Sequence, residues 1–139
     1  MSTDNTALQV TFDLCPALRL ANLMHMKTAD FNQKKTYLEN RPNVEVLLES
    51  EFTKEIRILM KAGQLMKEHK TPFPIVVQLL EGKLDFGVQG KVTTITAGAI
   101  LSLEGGIPHD LKALADSSVR LTLVKGDAAQ RVEGVAKSE

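Results

Sequence analysis

The chain has 139 residues, which fits one compact domain, with 43% hydrophobic and 24% charged residues, the balance of an ordinary globular protein. The formal net charge is zero, only 4% of the residues are aromatic and there is no Trp. These values argue against the positive field and the stacking platforms of a nucleic-acid binder. A single Cys excludes an internal disulfide and a Cys-rich zinc site.

The sequence also bears on where the protein works. No apolar run approaches the roughly 18 residues that span a bilayer. The start, Met-Ser-Thr-Asp-Asn-Thr, lacks the basic and then apolar order of a signal peptide. We therefore expect a cytoplasmic protein with neither a membrane nor a nucleic acid as a partner.

Residues 1–43 are predicted to form a helical arm. Asp13 is a candidate N-cap, and Pro16 lies in the first turn, where its missing N–H costs little. An apolar stripe follows at helical spacing: Leu14, Ala17, Leu18, Ala21 and Met24. A second, weaker helix is expected from residue 28 or 30 to residue 38, ended by Arg41-Pro42.

The apolar stripe of the arm predicts how the protein assembles. A helix with a broad apolar face must bury that face against its own domain or against another subunit. We expect a symmetric homodimer with this segment near the interface. Light scattering at micromolar concentration should give the mass of a dimer, and the mass of a monomer would contradict the prediction.

From residue 44 the pattern changes to short apolar strands separated by turn residues. The predicted strands are 44–49, 55–60, 75–80, 84–88, 91–95, 100–103, 111–115 and 119–124. Strands at such close spacing pair antiparallel in a sandwich or barrel, so the fold class is all-β over residues 44–125. The tail, residues 126–139, has little to bury and is predicted to fray.

The glycine and histidine spacing of the barrel region is distinctive. Five residues separate Gly63 from His69, and Gly82 follows thirteen positions after His69. In a second run, five residues separate Gly98 from Glu104, Gly106 follows two positions later, and the run ends at His109. Hairpin turns at Gly82, Gly90 and Gly98 would need a positive φ, which Gly adopts freely.

This spacing resembles the two signature motifs of the cupin superfamily and the segment that joins them. The likeness extends from Gly63 to Ala113 and is greatest to small, single-domain, conserved-barrel cupins with His-Lys-Thr-Pro before Leu-Glu-Gly. The resemblance implies a double-stranded β-helix, or jelly roll, behind an N-terminal helical arm. It also implies that His69 and His109 meet at the mouth of the barrel.

The departures from the family motifs concern the metal ligands. The resemblance implies two His, a Glu and a later His as the ligands of a divalent metal. Here Thr71 stands at the second His position and Ile75 at the Glu position. The ligands that match are His69 and His109, an incomplete set for a divalent transition metal such as Zn, Fe, Mn or Ni.

Three interpretations of the His pair stay open. In the first, a metal is held by His69 and His109 with waters or a nearby oxygen, such as that of Gln78 or Glu104. In the second, a small molecule binds in a pocket lined by His69, Thr71, Phe73, Ile75 and His109. In the third, the two His line an inert cavity.

The function expected from these alternatives is binding of a small molecule, a divalent metal or both inside the barrel. The resemblance also allows a metal-dependent isomerase, epimerase or dioxygenase that acts on a small polar substrate. Strand alternation places Gln78 on the face opposite Ile75, and it turns Glu68, Lys70 and Asp110 away from the site. Met60 and Met66 are interpreted as core residues.

Overall fold

The computed structural model describes residues 25–125, which contain nine β-strands. In chain order they are β1 (Asn43–Glu49), β2 (Thr53–Met60), β3 (Leu65–His69), β4 (Ile75–Glu81), β5 (Lys83–Val88), β6 (Lys91–Thr96), β7 (Ile100–Leu103), β8 (His109–Ala113) and β9 (Ser117–Val124). The strands form a five-stranded sheet of order β1-β2-β9-β4-β7 and a four-stranded sheet of order β3-β8-β5-β6. No helix occurs in the part of the chain that the structure describes, which confirms the all-β prediction there.

The chain winds between the two sheets. Strand β2 lies in the five-stranded sheet, β3 in the four-stranded sheet and β4 in the five-stranded sheet again, and β7, β8 and β9 alternate in the same way. Strand β9 pairs with β2 and β4, and β8 pairs with β3 and β5. This antiparallel winding is that of a jelly roll, in which residues distant in sequence meet in one interior.

Alternation along the strands fills that interior with apolar side chains. In β4, Ile75, Val77 and Leu79 are buried, whereas Gln78 lies on the opposite face, as predicted. Met60 and Met66 are both buried, as predicted. The core side chains come from both sheets: Ile56, Ile58, Met60, Met66, Ile75, Val77, Leu79, Leu84, Phe86, Ile95, Leu111, Ala113, Val119, Leu121 and Leu123.

The turns of the barrel follow the glycine pattern. Gly82, Gly90 and Gly98 all have a positive φ, as predicted. At Gly82 a side chain would also collide with the backbone of Asp116 and Ser117. The hairpin between β4 and β5 therefore requires glycine for two independent reasons.

Residues 25–42 lie outside the sheets and are held by a buried arginine. Arg57 on β2 is only 2% exposed. Its Nη1 donates to the carbonyl oxygens of Phe31 (3.0 Å) and Gln33 (2.7 Å), and its Nη2 donates to that of Lys34 (3.3 Å). Nε and Nη2 both donate to Oε1 of Glu45, at 3.0 and 2.8 Å. The guanidinium thus binds the segment across the outer face of the sheet.

This arrangement corrects the prediction of a second helix at residues 28–38, which was wrong. The carbonyl groups that a helix would use internally converge on Arg57 instead, and the backbone there forms turns and irregular structure. The predicted first helix, with the rest of residues 1–24, and the tail at 126–139 lie outside the described residues. Within residues 25–125, no helix is long and apolar enough to cross a membrane.

All the predicted strands are present, with ends within two residues of those observed. The sequence reasoning missed one strand, β3. Its sequence, Leu-Met-Lys-Glu-His, has only one buried apolar side chain, Met66, and it lies at an edge of the four-stranded sheet. A short edge strand with a single inward apolar residue gives too weak an alternation to be recognised.

The role of Arg57 can be tested by Arg57→Gln. The shorter side chain cannot reach the three carbonyl groups, so the variant should lose about 1–3 kcal/mol of unfolding free energy, the cost of buried polar groups left unpaired. Urea denaturation measures the loss. Arg120→Gln is the matched control, because Arg120 is the register partner of Arg57 on β9 but is 44% exposed.

The control removes an ion pair with the mostly buried Glu55 and a cation–π contact of the Arg120 guanidinium with Phe31, 6.0 Å from the ring centroid, and should cost about 1 kcal/mol. Equal losses in the two variants would contradict the anchoring role of Arg57.

Candidate functional site

A bulge in β3 brings His69 into the barrel. Met66 pairs with Leu111 and His69 pairs with His109. Between these pairs β3 advances by three positions and β8 by only two, so β3 holds one extra residue. In a regular strand, residues 66 and 69 would point to opposite faces. The extra residue turns both Met66 and His69 towards the interior, and both line the same cavity. Glu68, Lys70 and Asp110 are exposed, as predicted.

The two imidazole rings are adjacent. Their centroids lie 4.4 Å apart, with an angle of 59° between the ring planes. Phe86 on β5 stacks on the ring of His109, with the ring centroids 5.5 Å apart and an angle of 7° between the ring planes. His109 is 3% exposed and His69 is half-buried. The His109 ring is therefore clamped between Phe86 and His69, and His69 lies nearer to solvent.

Both rings are oriented by their own backbone. Nδ1 of His69 lies 2.7 Å from the carbonyl oxygen of Lys67, and Nδ1 of His109 lies 3.0 Å from that of Ile107. A carbonyl oxygen only accepts, so each Nδ1 carries a proton and donates it. In the neutral ring the lone pair is then on Nε2. Histidines that ligate metals are oriented by the same kind of hydrogen bond.

The cavity between the sheets is small and almost wholly apolar. Its volume is about 20 Å³, which is room for roughly one water molecule. His69 and His109 provide its polar edge. The other lining residues are apolar: Ile58, Met66, Ile75, Val77, Phe86, Leu111, Val119 and Leu121.

Three of the five predicted pocket residues line this cavity: His69, Ile75 and His109. Thr71 and Phe73, which were predicted to line the pocket with them, are not among the residues that line this cavity. Strand β3 ends at His69 and β4 begins at Ile75, so strand alternation does not hold in between. Thr71 is buried with its hydroxyl donating to the Phe73 carbonyl oxygen at 2.9 Å, and the side chain of Phe73 is 41% exposed.

The structure does not support either oxygen suggested as a further metal ligand. Gln78 lines a groove on the outer face of the five-stranded sheet, and Glu104 is exposed outside the cavity lining. Ile75, at the position of the family's Glu, is 4% exposed in the core. Among residues 25–125, no group of three or more His, Cys, Asp or Glu side chains could hold a metal. These residues do not fit the four-ligand divalent site of the family motif.

Burial sets the protonation of the inner imidazole. Loss of solvent lowers the pKa of His109 below its usual value, and repulsion from His69 lowers it further. The hydrogen bond to Ile107 and the charge of Asp110 oppose the shift. The neutral ring with its lone pair on Nε2 is thereby favoured near neutral pH.

Comparison with solved structures identifies the fold. An RmlC-like cupin protein of Desulfovibrio desulfuricans is 27% identical, with a TM-score of 0.64 over 76% of this chain and 98% of that one. A double-stranded β-helix protein of Klebsiella pneumoniae is 18% identical, with a TM-score of 0.64 over 75% of this chain and 96% of that one. The chain has the cupin fold. A cupin superfamily protein of Desulfitobacterium hafniense matches with a TM-score of 0.62 at 10% identity, over 73% of this chain and 92% of that one.

The cupin resemblance of the sequence motifs is thus confirmed. No family model matches the sequence, and no curated protein matches it either.

Sequence reasoning missed two residues of this cupin site. Phe86 stacks on His109, and Met66 shares the cavity with both histidines. The alternation of β5 places Phe86 inside, but nothing in the sequence pairs it with His109. Met66 lies three positions before His69, and only a bulge brings both to one face.

The lowered pKa of His109 predicts a pH dependence of stability. Between the ordinary His value of 6.5 and the lower value of the folded state, the unfolded chain binds more protons than the folded chain. The unfolding free energy of the metal-free protein should therefore fall as the pH drops below about 6.5. His109→Gln should flatten this part of the profile, measured by urea denaturation between pH 7.5 and 5.5. An unchanged slope would contradict the assignment.

Proposed function

We propose that this cupin is a binding protein whose barrel holds one transition-metal ion through Nε2 of His69 and Nε2 of His109. The observation that carries the proposal is the pair of backbone hydrogen bonds at the two Nδ1 atoms. They leave two adjacent nitrogen lone pairs at the edge of one cavity, and imidazole nitrogen suits most first-row transition metals.

The size of the cavity favours an ion over an organic molecule. Pockets for small organic ligands have volumes of roughly 300–1,000 Å³. The cavity beside the histidines has about 20 Å³. A metabolite could contact the half-buried edge of His69, but the interior next to His109 has room only for a single atom or a water molecule.

The metal-dependent isomerase, epimerase or dioxygenase stays an alternative prediction. Such chemistry needs a metal with open positions for the substrate, usually on about three protein ligands. The two histidines supply two of these, and Ile75 supplies none. The observations therefore favour binding as the function, with His69 and His109 as the ligands.

His69→Ala tests the proposal with little disturbance of the fold, because His69 is half-buried at an edge strand. The variants are made in a Cys15→Ser background, because a thiol binds Cu(I) by itself. Isothermal titration calorimetry with Ni(II), Zn(II) and Cu(I) should then show one site per chain in the protein with both histidines, for at least one of these ions. Loss of one of two nitrogen ligands should lower the metal affinity by at least about tenfold. Mutation of a residue that only hydrogen-bonds to a metal ligand already lowers metal affinity by about 10–100-fold.

His25→Ala is the matched control, since His25 is exposed and lies outside the cavity lining. It should bind like the wild type. Absence of a site for all three ions, or equal binding by His69→Ala, would overturn the proposed function.

A further inference from the structure

We propose that Met66 is the third ligand of this site and that the site selects a soft monovalent ion, Cu(I), over divalent ions. The inference rests on the proposed function, because it uses the same two imidazole nitrogens. It adds a residue and an ion that the cupin motif does not provide.

Met66 lies where a third ligand is needed. It is 1% exposed and lines the cavity together with His69 and His109. It occupies the inward position of β3 next to His69, because the bulge removes the usual alternation between them. Its register partner Leu111 is the inward residue next to His109 on β8. The thioether and the two imidazoles therefore border the same space from adjacent positions.

The donor atoms suit copper in its reduced state. Thioether sulfur is a soft donor that favours Cu(I), whereas carboxylate, carbonyl and water oxygen suit hard divalent ions. The cavity lining contains one Met and two His but no Asp or Glu. Within the described chain, the donors that face this space are thus nitrogen and sulfur.

Space and charge favour the same ion. A cavity with room for roughly one water molecule cannot hold an ion that keeps several waters in its coordination shell. Cu(I) is stable with two or three protein ligands and needs no water in its coordination shell. The cost of moving an ion into an apolar medium rises with the square of its charge, so a divalent ion costs about four times as much as a monovalent one. No carboxylate in the lining offsets that cost.

The test compares Met66→Leu with Met60→Leu. Leu has nearly the volume of Met, so each variant should keep its packing to within about 1.5 kcal/mol. Met60 is 0% exposed in the same core but does not line the cavity. All proteins carry Cys15→Ser, because a thiol binds Cu(I) strongly by itself. Cu(I) affinity is measured without oxygen, in competition with the chromogenic chelator bicinchoninate.

The expected result is one Cu(I) per chain, bound more tightly than Zn(II) or Ni(II). Met66→Leu should lower the Cu(I) affinity by at least about tenfold. Met60→Leu should bind Cu(I) like the wild type. X-ray absorption at the copper edge should show one sulfur neighbour in the wild type and in Met60→Leu. That neighbour should be absent in Met66→Leu.

Other outcomes separate this inference from the proposed function. Two outcomes would overturn the role of Met66 and leave the proposed function standing. One is equal Cu(I) affinity in Met66→Leu and Met60→Leu. The other is a site that needs His69, alone or with His109, but binds Zn(II) or Ni(II) more tightly than Cu(I). If a His69→Ala, His109→Phe double variant binds all three ions as the wild type does, both proposals fail and the cavity is inert.

Discussion

The pairing of β3 with β8, one residue out of regular alternation, is the constraint on which the site depends. It places His69 directly opposite His109, so that two residues forty positions apart in sequence become register partners. It also brings Met66 to the same face as His69. A regular β3 would turn His69 to solvent and leave His109 alone against Phe86. The chemistry available in this barrel thus follows from one extra residue in an edge strand.

The site is part of the hydrophobic core rather than a pocket set apart from it. Residues such as Leu121 and Val77 both pack the two sheets together and line the cavity. Two polar rings can lie there because each Nδ1 donates a hydrogen bond to the backbone carbonyl group two residues earlier in the sequence. What is left for a ligand is a pair of lone pairs in apolar surroundings. This combination favours a small, weakly charged partner.

The sequence predicted much of this site but not all of it. The glycine and histidine spacing gave the cupin fold and the meeting of His69 with His109, because turn glycines and motif distances are local properties of the chain. Strand alternation correctly placed Ile75 inside and Gln78 outside. The same alternation does not extend to Thr71 and Phe73, because the chain between β3 and β4 is not a strand. It could not place Met66 on the same face as His69, because a bulge leaves no clear mark in the sequence.

By itself, the sequence determined an all-β barrel, the positions of its turns and the absence of a carboxylate at Ile75. These depend on residue type and on spacing along the chain. Only the tertiary structure decided that a thioether lines the same cavity as the two imidazoles, that both Nδ1 atoms donate to backbone carbonyl groups and that the cavity is so small. It also decided that residues 25–42 lie against Arg57 without forming a helix. These features arise from contacts between distant segments, which local patterns do not encode.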